Sequence, residues 1–132
     1  MNQRGFATLE VILMVMVIGI LASIAVPRFT SVTTAANTAK IQADLSTIDT
    51  AIAVYHLEYG EDKNPADVAA LVTAEYLQAE PKPPRGYAYI QSDEATTSSS
   101  TAIKNETYAI TDGRATLDGS TADKFYVPKK TT

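Results

Sequence analysis

The sequence has no cysteine and no tryptophan, and its single histidine is His56. Without cysteine there is no disulfide framework, no thiol nucleophile and no cysteine-ligated zinc site. A lone imidazole on or near an apolar helical stripe reads as a packing or surface residue, and no catalytic constellation is visible along the chain. An excess of positive charge is also missing: 11 Lys+Arg stand against 15 Asp+Glu, a formal net charge of -4. That balance argues against a nucleic-acid-binding domain, which normally presents a basic face, while leaving room for a local basic patch. The 132 residues suffice for one small domain.

Charge is absent altogether over residues 11–27, whereas the stretch 58–63 is dominated by it. A long apolar segment followed by a polar, mixed-charge region predicts one membrane element and one soluble element. At about 1.5 Å per residue, a helix over 6–27 spans roughly the hydrocarbon core of a bilayer. Arg4 on its N-terminal side predicts an N-in, C-out orientation. An ordinary signal peptide would need a small-residue cleavage site after the apolar run, which Ala22-Ser23-Ile24-Ala25 or Ala25-Val26-Pro27 supplies only weakly. A buried core helix would need a larger and less polar remainder to enclose it. A plain signal anchor explains everything except Glu10.

A carboxylate in a membrane helix is costly, by about 2.5–3.5 kcal/mol for Asp at mid-helix and by less near an end. Such an acid is by default a functional group with a partner. The segment holds no basic residue, so the partner must come from a neighbouring molecule or a newly made terminus.

Gly5-Phe6, the acid at Glu10, the apolar run and Pro27 together resemble the class III leader of type IV pilins and of the pseudopilins of type II secretion and competence systems. The match is specific because five constraints coincide: a basic leader, Gly, Phe, Glu and a charge-free run. It departs at Ala7-Thr8-Leu9, where Thr-Leu-Ile or Thr-Leu-Val is usual, but Glu10 stays in register. The resemblance implies that a prepilin peptidase cuts after Gly5 and methylates the new amino terminus of Phe6. It also implies that Glu10 of one subunit faces the Phe6 amine of another, and that the helix stretches or unwinds between Gly19 and Pro27 in the filament. Pro27 by itself predicts a kink, since it cannot donate to the carbonyl four residues back.

Downstream, Ile41, Leu45, Ile48, Ile52, Tyr55 and Tyr59 recur at spacings of three and four, with Lys40, Asp44, Asp49 and Glu58 off the stripe. Gly60 is a natural stop. The stripe predicts a spine on which a small domain packs; a coiled-coil dimer is the alternative. Asn64-Pro65-Ala66-Asp67 predicts a helix start, with Asn64 as cap and an apolar face of Val68, Leu71 and Val72 running to about Leu77. Pro81, Pro83, Pro84 and Gly86 predict a stiff connection. This stretch up to Tyr89 also resembles, more loosely, the post-helix region of major pseudopilins and disulfide-free pilins, so the likeness covers about 1–89. Tyr87-Ala88-Tyr89-Ile90 predicts a strand with both tyrosines on one face. Residues 92–101, rich in Ser and Thr without periodicity, predict a surface loop. Segments 107–111 and 114–117 flank Asp112-Gly113, a hairpin signal. Asp118-Gly119 marks another turn, Phe125-Tyr126-Val127 a final strand, and the last residues a frayed tail.

The expected fold class is α+β: a long N-terminal helix, half membrane and half amphipathic, on a small antiparallel sheet. The expected division is a leader at 1–5, a membrane and filament-core helix at 6–29, and a soluble domain at 30–132. No cofactor is required by these residues, although oxygen-rich loops suit calcium and Asp112, Asp118 and Asp123 are candidate ligands. The resemblance adds that major pseudopilins hold calcium in this region. Asn105-Glu106-Thr107 fits a glycosylation sequon.

The resemblance implies a non-enzymatic structural subunit, the major pilin of a type IV pilus. Its expected partners are further copies of itself, the prepilin peptidase, an assembly platform with its ATPase motor, and the lipid bilayer before assembly. A major pseudopilin of a secretion or competence system is the alternative, and a single-pass membrane sensor or enzyme a third, disfavoured by the lack of a site. The expected location is the bacterial cytoplasmic membrane, then an extracellular or periplasmic filament.

Overall fold

A computed structural model describes residues 3–92 and 97–129, with position 27 described in its backbone alone. Its elements are α1 (Gln3–Tyr59), α2 (Val68–Thr73), β1 (Tyr87–Gln91), β2 (Ser98–Ala102), β3 (Ala109–Thr111), β4 (Arg114–Thr116) and a 3-10 turn at Ala122–Lys124. The architecture is α+β, and the chain divides into two compact units at Thr33 and Thr34.

The first unit is the N-terminal part of α1. Its large apolar side chains, including Phe6, Leu9, Ile12, Val15, Ile18 and Leu21, are all exposed. Only an apolar solvent or a neighbouring helix makes such a surface stable. Hydroxyls in this stretch are satisfied along the helix: Thr8 donates to the Arg4 carbonyl at 2.9 Å and Ser23 to the Ile20 carbonyl at 2.7 Å. The helix runs unbroken through Gly19 and position 27. Unwinding between them is an expectation for the filament, and the Pro27 side chain lies outside the described residues.

The second unit is built on the remainder of α1. Ile41, Leu45, Ile48 and Ile52 are fully buried and pack with Val68, Leu71, Ala88, Tyr108, Ala115, Leu117 and Phe125. The stripe is therefore covered by the chain's own domain, as the spine reading expects. Tyr55 is only part-buried and Tyr59 is exposed, so the buried stripe ends a turn earlier than its apolar spacing predicts. It begins earlier instead, at Thr34 and Thr38, both buried. Gly60 ends the helix at positive φ, its amide donating to the His56 carbonyl at 2.8 Å.

Several local expectations are corrected. Asp67, not Asn64, caps α2, accepting from the Ala70 amide at 2.7 Å. Asn64 instead accepts from His56 Nε2 at 2.9 Å, with Nε2 as the donor in that tautomer. It also lies so close to Gly113 that a Cβ there would meet Asn64 Oδ1 at 2.8 Å. The α2 helix stops at Thr73 rather than near Leu77, because Glu75 turns left-handed (φ 64). The Tyr76 amide then donates to the Leu71 carbonyl and the Glu75 amide to that of Val72, a Schellman closure with Glu where Gly is usual.

Ser98–Ala102 is strand β2, not loop, pairing antiparallel with β1 from Tyr87↔Ala102 to Gln91↔Ser98. The loop expected at 92–101 otherwise falls partly on residues outside those described. Tyr87 and Tyr89 share one face while Ala88, on the other, is wholly buried. The hairpin of β3 and β4 pairs Ala109↔Thr116 through Thr111↔Arg114 across Asp112-Gly113, both at positive φ as a type I′ turn requires. Phe125 makes a single bridge to Ile90 in place of a final strand. The frayed-tail expectation falls, beyond Lys129, outside the described residues.

Candidate functional site

Among the described residues one helix, α1, is long and apolar enough to cross a membrane. Glu10 lies on it beside Leu13, Met14, Val17 and Ile18, at the i+3, i+4, i+7 and i+8 spacings of one face. Gly5 and Phe6 lie one turn earlier and are exposed, as Glu10 is. A single acid in an apolar face is thus the distinguishing chemical feature of this segment. Since 6 and 10 are four residues apart, the Phe6 side chain shares a face with Glu10, and an amine created at Phe6 would stand about one helical turn from that acid.

In the second unit, the charged residues that lie off the apolar stripe of α1 turn towards the chain's own loops. Asp49 accepts the Ala115 amide at 2.7 Å and the Arg114 guanidinium at 3.1 Å. Tyr108, buried, donates its hydroxyl to Asp44 at 2.7 Å. Burial raises the Tyr108 phenol pKa, and the bond to Asp44 raises it further. Lys40 pairs with Asp44 and donates to the Lys82 carbonyl at 2.9 Å. Glu58 accepts the hydroxyl of Tyr76, which raises that phenol's pKa as well. Two uncharged residues complete the ladder. Asn37 donates to the Arg85 and Tyr87 carbonyls at 3.2 and 3.0 Å, and Thr38 accepts the Tyr89 amide at 2.8 Å. These rungs fix the register of the strands on the helix. Sequence periodicity missed them because a polar residue off an apolar stripe looks like a solvated one.

The three aspartates named as candidate calcium ligands occupy different settings. Asp112 is in the β3–β4 turn. Asp118 accepts two backbone amides, and Asp123 accepts the Thr121 hydroxyl at 2.6 Å with the Arg114 guanidinium 3.8 Å away. The Thr121 bond holds the Asp123 carboxyl below its usual range, against the opposing effect of burial. Among the described residues no group of three or more His, Asp or Glu is placed to hold a metal ion. An open depression of about 520 Å³ beside Arg85 mixes Lys82, Arg85 and Lys104 with Glu80 and Glu106, so it presents no field of one sign.

No family model matches the chain, and no solved structure matches it. Two curated proteins are similar to it. "Type II secretion system core protein G" of Pectobacterium carotovorum subsp. carotovorum is 32% identical over 89 residues, covering 65% of this chain and 57% of that protein. "Type IV narrow pilus major component PilA5" of Thermus thermophilus is 39% identical over 54 residues, covering 41% of this chain and 47% of that protein. The chain spans about half the length of these relatives. One name is that of a secretion-system core protein and the other that of a major pilus component. The two similarities are to a type II secretion core protein and to a type IV pilus component, and each covers only part of either chain.

Proposed function

We propose that the chain is the major subunit of a type IV pilus, polymerising through α1 after cleavage between Gly5 and Phe6 and N-methylation of Phe6. The observation that carries this reading is the exposed apolar helix interrupted by the single acid Glu10. In the precursor the helix has no acid in its first turn. Cutting after Gly5 removes Arg4, whose carbonyl holds the Thr8 hydroxyl, and brings Glu10 close to a helix start, where negative charge is favoured. A free subunit then carries a terminal amine about one helical turn from its acid. A filament lets each seek the other on a neighbour.

In this reading the precursor sits N-in and C-out in the cytoplasmic membrane, and an assembly platform with an ATPase motor extracts it. The outer domain is displayed on the filament, where it serves adhesion, twitching or DNA uptake. A second reading, the major pseudopilin of a secretion system, is favoured by the longer of the two similarities, which is to a secretion core protein. Deleting the gene separates them. The pilus reading expects long surface filaments, seen by electron microscopy of sheared cells, to vanish while secretion continues. Loss of secretion with surface filaments unchanged would favour the pseudopilin.

A further inference from the structure

The family resemblance raises the question of a calcium ion near Asp112, Asp118 and Asp123, and the surroundings of Asp118 do not fit one. Its Oδ2 accepts the Lys104 amide and its Oδ1 the Asn105 amide, each at 2.9 Å. A calcium ion bridging Asp118 to this backbone would require carbonyl oxygens at about 2.3–2.6 Å. The backbone presents two N–H groups instead, whose positive ends already occupy both carboxylate oxygens. Of the other carboxylates, Asp123 already has a cation beside it, since Arg114 stands between Asp49 and Asp123.

The carboxylate is held in place by its own turn. Asp118 and Gly119 both have positive φ (50 and 78), and Leu117 and Ser120 exchange amide–carbonyl bonds of 2.9 Å across them. This is a type I′ turn, which tolerates Asp at its first central position. The segment it grips is tied at its other side by the Ile103 amide, which donates to the Gly86 carbonyl at 2.8 Å. Buried Tyr108 follows that segment and buried Leu117 precedes the turn, so the contact closes the chain over the core.

We infer that Asp118 is an internal clasp that closes residues 103–107 onto the 117–120 turn, and that the outer domain holds its fold without calcium. The clasp occupies the region in which the resemblance would place the ion. This inference takes from the pilin reading only the reason for considering calcium.

The test uses the full chain in detergent micelles. All seven tyrosines lie at position 55 or beyond, so near-ultraviolet circular dichroism reports melting of the outer domain. Melts are compared in chelator and in calcium at about 5 mM, above the roughly 0.1–1 mM range in which extracellular modules bind it. The wild-type midpoint is expected to be the same in both, within about 1 °C. Asp118→Gly keeps the left-handed turn but removes both acceptors. It is expected to lower the midpoint by about 5–10 °C, with or without calcium. Hydrogen exchange at the 104 and 105 amides should quicken by roughly tenfold or more. Asp118→Asn, which keeps one acceptor, should fall between the two and serves if the glycine variant does not fold. A calcium-dependent rise of about 5 °C or more in the wild type would overturn the inference. So would an Asp118→Gly protein that melts like wild type. Either result would leave the filament reading standing, because neither measurement involves assembly.

Discussion

Cells carrying Glu10→Ala in place of the wild-type chain are expected to make, insert and process the subunit normally and to display no filaments. In the proposed function, assembly moves α1 from lipid into a bundle of like helices. Both surroundings are apolar, so burial alone gives little net drive. In the proposed filament, packing and an external motor would supply the rest, but neither chooses a register along a surface of Val, Ile, Leu and Met. An acid that must meet an amine does choose one, because every mismatched position leaves a charge unpaired. Removing the acid leaves the Phe6 amine without a partner. Breaking a buried pair in this way costs about 3–5 kcal/mol, which would weaken subunit addition by roughly 150- to 5000-fold. Filament counts by electron microscopy check this, alongside blots for the processed subunit. The variant should still co-assemble when wild-type chains are present. Filaments of wild-type number and length from Glu10→Ala alone would show that the acid is dispensable.

The second large effect belongs to the outer domain. A fragment beginning at Thr30 lacks the apolar segment and keeps the whole buried cluster from Ile41 to Phe125. It is expected to be monomeric and to unfold cooperatively, whereas a stable dimer would revive the coiled-coil alternative. Ile48→Asp in this fragment should abolish folding. Ile48 is wholly buried. The change loses about 1.5–3 kcal/mol of apolar burial and adds several kcal/mol for a carboxylate with no partner. The sum rivals the total stability of a small domain, about 5–15 kcal/mol. Ala53→Asp on the exposed side of the same helix is the control, with an expected loss of about 1 kcal/mol from helix propensity and the nearby Asp49. Circular dichroism melts read both. An Ile48→Asp fragment as stable as wild type would mean that the stripe faces elsewhere.

Features that one short stretch of sequence must satisfy by itself were legible from the residues. Lipid demands an uninterrupted apolar run, so the N-terminal helix and the oddity of Glu10 stood out. Gly60 and the Asp112-Gly113 and Asp118-Gly119 turns need positive φ, and their residue types announce it. The 3-and-4 spacing from Ile41 to Ile52 gave the buried face of the helix. What could not be read depends on partners far along the chain. Ser98–Ala102 has no alternation of its own and is a strand because β1 pairs with it. Asn64 and Asp67 are both good caps, and the choice fell to Asp67 because Asn64 is taken by His56 and packs on Gly113. Phe125 was expected in a strand, but its ring is wholly buried in the core and its backbone makes one bridge. Thr38, Asp44 and Asp49 act through bonds to residues more than fifty positions away, a coupling that no local pattern carries.

The most direct test of the account is the mass of the mature subunit and of its N-terminal peptide, taken from membranes or filaments of cells that make it. A chain that begins at Phe6 and carries one methyl group on its amine is the expected result, since the proposed function makes processing between Gly5 and Phe6 the step that turns an inserted helix into an assembling one. A mature chain beginning near Val26 would contradict the account, because ordinary signal-peptide removal would strip away Glu10 and the whole apolar segment through which the filament is held to form.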